Sequence, residues 1–192
     1  MPSAPPFPSH PNLSPLDHLT YPSSRSHICR SPAVICILHG HCLGLAIDLS
    51  LCADIRLCTR STIFSVKEVD IGIAADIGTL TRLPKAVGNA SWVKEVCLTA
   101  REWGADEAVS AGFVSRVLGD KEEAVREGER LCRLMAEKSP VAVLGTKELL
   151  NYGRGRTVEE GLGYTAVWNA AMLQTADVAV AVGKGGRGFE KL

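Results

Sequence analysis

The stretch SVKEVDIGIAADIGTLTRLP, residues Ser65–Pro84, decides how the rest of the chain is interpreted. It places Glu68 and Asp76 among valine, isoleucine, alanine and glycine, with few charged partners nearby. Apolar surroundings disfavour the charged form of a carboxyl group, which makes it a better base near neutral pH. One interpretation is therefore that these carboxylates transfer protons. The alternatives are a solvated Glu68 that pairs with Lys67, and an Asp76 that caps the following helix.

The composition describes a globular chain with balanced charge. Its 192 residues suit one domain, and 46% of them are hydrophobic, which allows a sizeable core. Lys+Arg and Asp+Glu number 21 each, without the basic cluster that a nucleic-acid-binding protein carries. No apolar run reaches the roughly 18 residues that would indicate a membrane span. We therefore expect no nucleic acid as a partner and no membrane span.

The cysteines give no sign of a disulfide framework or a metal site. All seven are scattered and none forms a CxxC pair, which favours a reducing compartment. His39, His41 and Cys42 lie close together, but a second, distant pair of ligands is missing. We therefore expect no metal site.

The chain divides into unequal parts. Residues 1–32 contain eight of the ten prolines and one acid, Asp17, and are predicted to be disordered. An α/β core is predicted over residues 33–119 and a helical region over residues 120–192. Within these parts the apolar patterns predict strands over 33–39, 54–59, 62–66 and 113–118, and helices over 44–54, 79–87, 91–98, 105–110, 122–138, from 140, and 157–174.

A glycine-rich turn joins the first predicted strand to the first predicted helix. Gly40 and Gly44 border the turn, and Asp48 follows about one turn into the helix. Free N–H groups at a helix start stabilise negative oxygen, helped by the helix dipole. Glycine turns before helices are common, however, and Asp48 could simply be an acid that complements the dipole.

Together these residues resemble a known family. The stretch PAVICILHGHCLGLAIDLSLCADIRLCTRSTIFSVKEVDIGIAADIGTLTRLPKAVG, residues 32–88, is similar to the enoyl-CoA hydratase/isomerase (crotonase) superfamily. More narrowly, KEVDIGIAADIGTLTRLP resembles the Δ3,5-Δ2,4-dienoyl-CoA isomerases. The likeness runs from about Ile28 to Gln174 and includes LTAREWGADEAVSAGFVSRV and KSPVAVLGTKELL.

The resemblance implies a fold, a substrate and a set of site residues. The fold would be a crotonase-like spiral of ββα units with a C-terminal helical portion that builds homotrimers or hexamers. The substrate would be a fatty acyl-CoA thioester in β-oxidation, with no cofactor besides the coenzyme A that it carries. Gly44 and Leu45 would hold the thioester oxygen, with the Leu45 N–H as a donor. Asp48 and Glu68 would shuttle protons at opposite ends of the diene, and Asp76 would be a further catalytic carboxylate.

The chain departs from the family pattern in two places. GLAID stands where the family has a run of glycines, so Leu45 and Ala46 are expected to narrow the approach to the thioester. The family also has further strands before Pro32, which supply another N–H donor, so the resemblance implies an N-terminally truncated fold. Two other functions stay open: a non-catalytic crotonase-fold subunit that assembles with intact partners, and an enoyl-CoA hydratase.

The last residues bear on location. The chain ends in Phe189–Leu192, FEKL, which is close to the S-K-L peroxisomal signal except that Glu190 stands where a small residue is expected. We expect weak peroxisomal import, with mitochondria as the alternative.

Overall fold

The computed structural model describes residues 32–183, so Phe189–Leu192 and all of the predicted disordered segment except Pro32 lie outside the described residues. Within that range the strands form two sheets of three strands each. The first sheet contains β1 (Ile35–Leu38), β3 (Ile55–Thr59) and β6 (Arg116–Leu118), and the second contains β2 (His41–Leu43), β4 (Ile63–Ser65) and β5 (Trp103–Gly104).

The first four strands alternate between the two sheets, whereas β4 and β5 follow each other in the second sheet. β1 pairs with β3 in parallel, with Ile35 opposite Ile55, and β2 pairs with β4 in parallel, with His41 opposite Ile63. β6 extends the first sheet in parallel, whereas β5 joins the second sheet antiparallel to β4. The pairs β1β2 and β3β4, each followed by a helix, therefore add one strand to each sheet, and β5 and β6 add one more to each from either side of a helix. The predicted spiral of ββα units is confirmed.

The helices follow the predicted pattern with shifted ends. A 3-10 helix at Glu68–Ile71 precedes the second α-helix. The α-helices of the described residues are α1 (Leu45–Ser50), α2 (Thr79–Ala86), α3 (Ala90–Thr99), α4 (Ala105–Ser110), α5 (Lys121–Ala136), α6 (Pro140–Gly153), α7 (Val158–Met172) and α8 (Ala176–Val182).

Two predicted elements are shorter than expected. The helix predicted to reach residue 54 ends at Ser50. The strand predicted from residue 113 begins at Arg116, because the N–H groups of Phe113 and Val114 both donate to the Ala108 carbonyl, at 2.8 and 3.3 Å. Those two residues therefore close α4 instead of extending the sheet.

An aromatic cluster fills the core beside the second sheet. Phe64 stacks on Trp103 with ring centroids 5.7 Å apart, and Phe113 meets Phe64 edge-on at 5.5 Å. Trp92 of α3 meets Trp103 edge-on at 5.3 Å. Such offset and edge-to-face contacts are the favoured geometries of aromatic pairs. The cluster fixes β4, whose last residue, Ser65, leads into the segment that carries the predicted acids.

α5 covers the first sheet, although the sequence places it in the C-terminal region. Ala124 is fully buried, and a Cβ atom added at Gly128 would lie 3.0 Å from Ile37 Cδ1. Glycine at this position therefore lets the helix approach β1 closely.

α6 and α7 pack against each other. A Cβ atom at Gly145 would lie 2.5 Å from Trp168 Nε1, and Tyr152 stacks on Tyr164 at 4.0 Å. Lys147 of α6 is buried and forms an ion pair with Asp54 at 2.8 Å, which ties the helical pair to the core. Among residues 32–183, no helix combines the length and apolarity that spanning a membrane requires.

Candidate active site

The turn before α1 brings Gly44 next to Glu68. Gly44 has φ 50° and ψ −116°, a conformation that favours glycine. Its N–H donates to the Ser65 carbonyl at 2.9 Å, so this N–H group is already engaged. Leu45 opens α1, where an N–H group has no acceptor within its own helix. Leu45 is therefore the available N–H donor of the turn, and Gly44 supplies the backbone conformation from which α1 starts.

Glu68 lies at this turn as the first residue of the 3-10 helix. A Cβ atom at Gly44 would lie 3.4 Å from Glu68 Oε1, an ordinary van der Waals distance. Glu68 Oε2 is buried and has no hydrogen-bond partner among the described residues. A buried acceptor without a partner typically costs about 1–3 kcal/mol. An oxygen kept in this state is well placed to receive a proton from a bound molecule.

Asp48 is buried in α1 and binds the start of α2. Its Oδ1 accepts hydrogen bonds from the Thr79 N–H at 2.6 Å and from the Thr79 hydroxyl at 2.7 Å. Gly78, at the N-cap of α2, has no side chain with which to cap the helix. Asp48 therefore caps α2 from another element, and the cap that the sequence suggested for Asp76 is supplied by Asp48 instead.

Asp76 lies in the irregular segment between the 3-10 helix and α2. It is exposed, and it forms no hydrogen bond or ion pair within the described range. Its neighbours Ile73 and Ile77 are also exposed, at 47% and 54%. The apolar surroundings seen in the sequence thus belong to an open surface at this point, and not to the core.

The lysine beside Glu68 has a different acidic partner. Lys67 Nζ lies 3.4 Å from Asp70 Oδ2 and donates to the Ala100 carbonyl at 3.2 Å. The alternative that paired Glu68 with Lys67 is therefore wrong, because Asp70 takes that lysine.

Two residues near the acids were missed by sequence reasoning. Cys97 of α3 is buried, and burial, followed by the nearby charge of Glu68, raises the pKa of its thiol. Thr79 is fully buried and is hydrogen-bonded to Asp48. Neither could be found from spacing, because each is brought to the site by tertiary packing from about 30 residues away. The only sequence signal is a hydroxyl at the start of a helix.

The histidines considered as metal ligands lie outside this cluster of acids. His39 and His41 are both exposed. No group of three or more potential metal-binding side chains forms within residues 32–183.

The geometry provides the parts for moving protons on an activated carbonyl compound. The Leu45 N–H can stabilise a developing oxyanion, and Glu68 offers a carboxylate oxygen beside the same turn. Two further carboxylates are candidates. Asp48 is hydrogen-bonded to Thr79, whereas Asp76 has no partner within the described residues.

The chain is similar to curated proteins over most of its length. The mitochondrial Δ(3,5)-Δ(2,4)-dienoyl-CoA isomerase of Rattus norvegicus is 49% identical over 154 residues, which are 80% of this chain and 47% of the relative. The peroxisomal Δ(3,5)-Δ(2,4)-dienoyl-CoA isomerase of Arabidopsis thaliana is 46% identical over 154 residues, 80% of this chain and 55% of the relative. The chain thus spans about half the length of the curated relatives that it matches.

Solved structures and a family model agree with this likeness. An enoyl-CoA hydratase/isomerase from Cupriavidus metallidurans CH34 superposes with a TM-score of 0.72 at 28% identity, over 83% of this chain and 62% of that one. An enoyl-CoA hydratase from Polaromonas sp. JS666 gives 0.78 at 19% identity, over 87% and 66%, which supports the fold alone. The model described as "Enoyl-CoA hydratase/isomerase" matches residues 20–190. The chain belongs to the enoyl-CoA hydratase/isomerase family.

Proposed function

We propose that the chain carries the proton-transferring part of a Δ3,5-Δ2,4-dienoyl-CoA isomerase, acting on fatty acyl-CoA thioesters in β-oxidation. The observation that carries the proposal is Glu68, whose buried Oε2 has no partner among the described residues while its Oε1 lies at the turn before Leu45. The names of the relatives from Rattus norvegicus and Arabidopsis thaliana support the choice of isomerase.

The reaction conserves every atom. A base removes a proton from C2 of the 3,5-diene, and the electron pair moves through the diene while the thioester oxygen takes negative charge. An acid then returns a proton to C6, which leaves double bonds at C2 and C4. The Leu45 N–H would stabilise the charged oxygen, and Glu68 would carry one of the two transfers. The balance needs no redox cofactor and no further reactant.

The second transfer needs a second carboxylate, and the structure offers two. The sequence-based proposal pairs Glu68 with Asp48. Asp48 Oδ1 is occupied by Thr79, which leaves Oδ2 as its only oxygen without a hydrogen bond within the described residues. Asp76 has no such commitment. We therefore propose Asp76 as the second proton-transfer group. Asp48 remains a candidate site residue, as a buried carboxylate that is bonded to Thr79.

The test is conversion of a 3,5-dienoyl-CoA to the 2,4-isomer, followed by ultraviolet absorbance. Glu68→Gln is expected to lower kcat about 10²–10⁴-fold, because an amide cannot exchange the proton. Glu122→Gln, a matched change at an exposed position of α5, is expected to leave the rate unchanged. Asp76→Asn should act like Glu68→Gln. If Glu68→Gln matches the unsubstituted chain, or if the unsubstituted chain has no turnover, the proposal fails.

Incubation of the same preparation with a 2-enoyl-CoA tests the hydratase alternative, because a hydratase would add water to the double bond. Loss of absorbance from the 2-enoyl substrate would indicate hydration, whereas the isomerase proposal expects none.

A structural observation supports a second role, that of a subunit in a homotrimer or hexamer. α7 has apolar side chains on several sides and buries none of its residues, and Val158, Leu162 and Val167 are 79%, 65% and 69% exposed. A helix that is apolar on all sides is normally buried. Contact between copies of the chain would cover these residues, and it would also serve a non-catalytic subunit.

For location we propose a peroxisome or a mitochondrion. The relatives are named after these two organelles. A fluorescent protein fused to the full chain tests the proposal, and a signal confined to the cytosol would contradict it.

A further inference from the structure

The segment that carries both proposed proton-transfer groups is anchored at each end to the same turn of α1. At its start, the Ser65 carbonyl accepts the Gly44 N–H at 2.9 Å. At its end, Thr79 donates twice to Asp48 Oδ1, at 2.6 and 2.7 Å. Gly44 and Asp48 are four residues apart, about one helical turn. Both ends of residues 66–78 are therefore bound to neighbouring points at the start of α1, about one helical turn apart.

Both anchors are shielded from water. Ser65 and Thr79 have no exposed surface, and Asp48 is 1% exposed. The Ser65 hydroxyl also donates to the Ala100 carbonyl at 2.6 Å, which holds the first anchor from a second side. The second anchor depends on Thr79 alone. Hydrogen bonds to a buried carboxylate are stronger than those between neutral groups, so this contact can fix the position of the segment.

We propose that Thr79 is a positioning residue of the site: by binding Asp48 it holds the second end of the segment, and with it Asp76, against α1, which carries the Leu45 N–H. The inference rests on the proposed function for its catalytic consequence and on the hydrogen bonds alone for its structural content. Thr79 does not touch the reacting atoms. It acts through residues 66–78, the segment that ends directly before Thr79.

The contact matters most for the second half of the segment. The first half has its own support, because Val66 is buried and Lys67 donates to the Ala100 carbonyl at 3.2 Å. Between the 3-10 helix and α2 the chain has no regular structure, and Ile73 donates to the Glu68 carbonyl at 3.1 Å as a local closure. A free loop gains conformational entropy when one end is released. Proton transfer is sensitive to shifts of about 1 Å, which can cost about 10²-fold in rate.

Hydrogen–deuterium exchange of the full chain tests the anchor without reference to activity. Thr79→Val keeps the shape and the backbone N–H but removes the hydroxyl, whereas Thr79→Ser keeps a hydroxyl. Thr81→Val is the matched control, because Thr81 is exposed on the same helix. We expect amides of residues 72–78 to exchange about tenfold faster in Thr79→Val and at the original rate in Thr79→Ser and Thr81→Val. Equal exchange in all variants would overturn the proposal.

The isomerase assay tests the catalytic consequence. Thr79→Val is expected to lower kcat about ten- to hundredfold with little change in KM, and Thr79→Ser is expected to restore kcat to within about threefold. Phe113→Leu, a core substitution in the aromatic cluster, controls for general destabilisation and should retain kcat below its unfolding temperature. Equal losses of kcat in Phe113→Leu and Thr79→Val would contradict a positioning role. If the unsubstituted chain has no turnover, the proposed function fails, and the exchange data alone confirm or overturn the anchor.

Discussion

Gly44 shows at the scale of one residue how the site depends on a backbone conformation. Its φ of 50° and ψ of −116° let the chain turn from β2 into α1, and its N–H holds the Ser65 carbonyl. The Glu68 carboxylate lies beside the turn, within ordinary contact distance of a Cβ added at Gly44. A single glycine therefore joins the turn, the first anchor of the acid-bearing segment and the candidate oxyanion donor at Leu45.

Gly44→Ala is expected to destabilise the fold. The added Cβ would meet Glu68 Oε1 at an ordinary 3.4 Å, so the cost comes mainly from the backbone conformation. Such strain costs about 1–3 kcal/mol, which urea unfolding would measure. Gly161→Ala is the control, since its Cβ would enter open space in α7 and alanine favours a helix. Equal free energies of unfolding for the two variants would contradict the strain argument.

At the scale of elements, α3 and α4 are braced by one carboxylate. Glu107 Oε1 accepts from Trp92 Nε1 at 2.7 Å, and Glu107 Oε2 accepts from Arg101 Nη1 at 3.1 Å. The hydrogen bond from Arg101 is the main cause that lowers the pKa of Glu107 below its usual 4.5. The bracing thus depends on the carboxylate being charged.

The pH dependence of this brace has a definite sign. A carboxyl group whose pKa is lowered by folding stabilises the fold fully above pH 4.5, and the contribution is lost as the pH falls through the lower value of the folded state. Glu107→Gln should therefore reduce the fall of stability below pH 4.5, by at most about 1 kcal/mol because the pair is partly exposed. Thermal unfolding of both proteins between pH 6 and pH 3 would show it, with Glu122→Gln as the control. Parallel curves for Glu107→Gln and the unsubstituted chain would contradict the brace.

The elements that sequence predicted well are those with a local cause. Pro140 opens α6 at a position where proline is tolerated. The apolar spacing predicted the extent of α5, but the structure buries Ala124 and Gly128 and leaves Val125 and Leu134 exposed. β2 and β5 were missed because three and two residues are too short to show a period. The role of Asp48 was missed for a different reason: the helix that it caps begins 31 residues later, and only the spiral brings the two together.

At the scale of the whole molecule, the exposed apolar side chains of α7 predict self-association. Leu162→Glu would place a charge on this surface and is expected to shift the chain from trimers or larger species toward monomers. Light scattering after size-exclusion chromatography would measure the masses, with Glu159→Gln on the same helix as the control. A monomeric unsubstituted chain at about 100 µM, well above the Kd of a stable interface, would contradict the prediction.

The double anchoring of residues 66–78 on α1 also separates two properties that many enzymes must change together. Under the proposed function, proton transfer depends on Glu68 and Asp76, whereas Ile71, Ile73 and Ile77 lie between the same two anchors and are exposed. Substitutions among these three isoleucines would then change the width or hydrophobicity of the surface offered to an acyl tail, without disturbing the hydrogen bonds at either anchor. Selectivity for tail length would thus be adjustable independently of the proton-transfer groups.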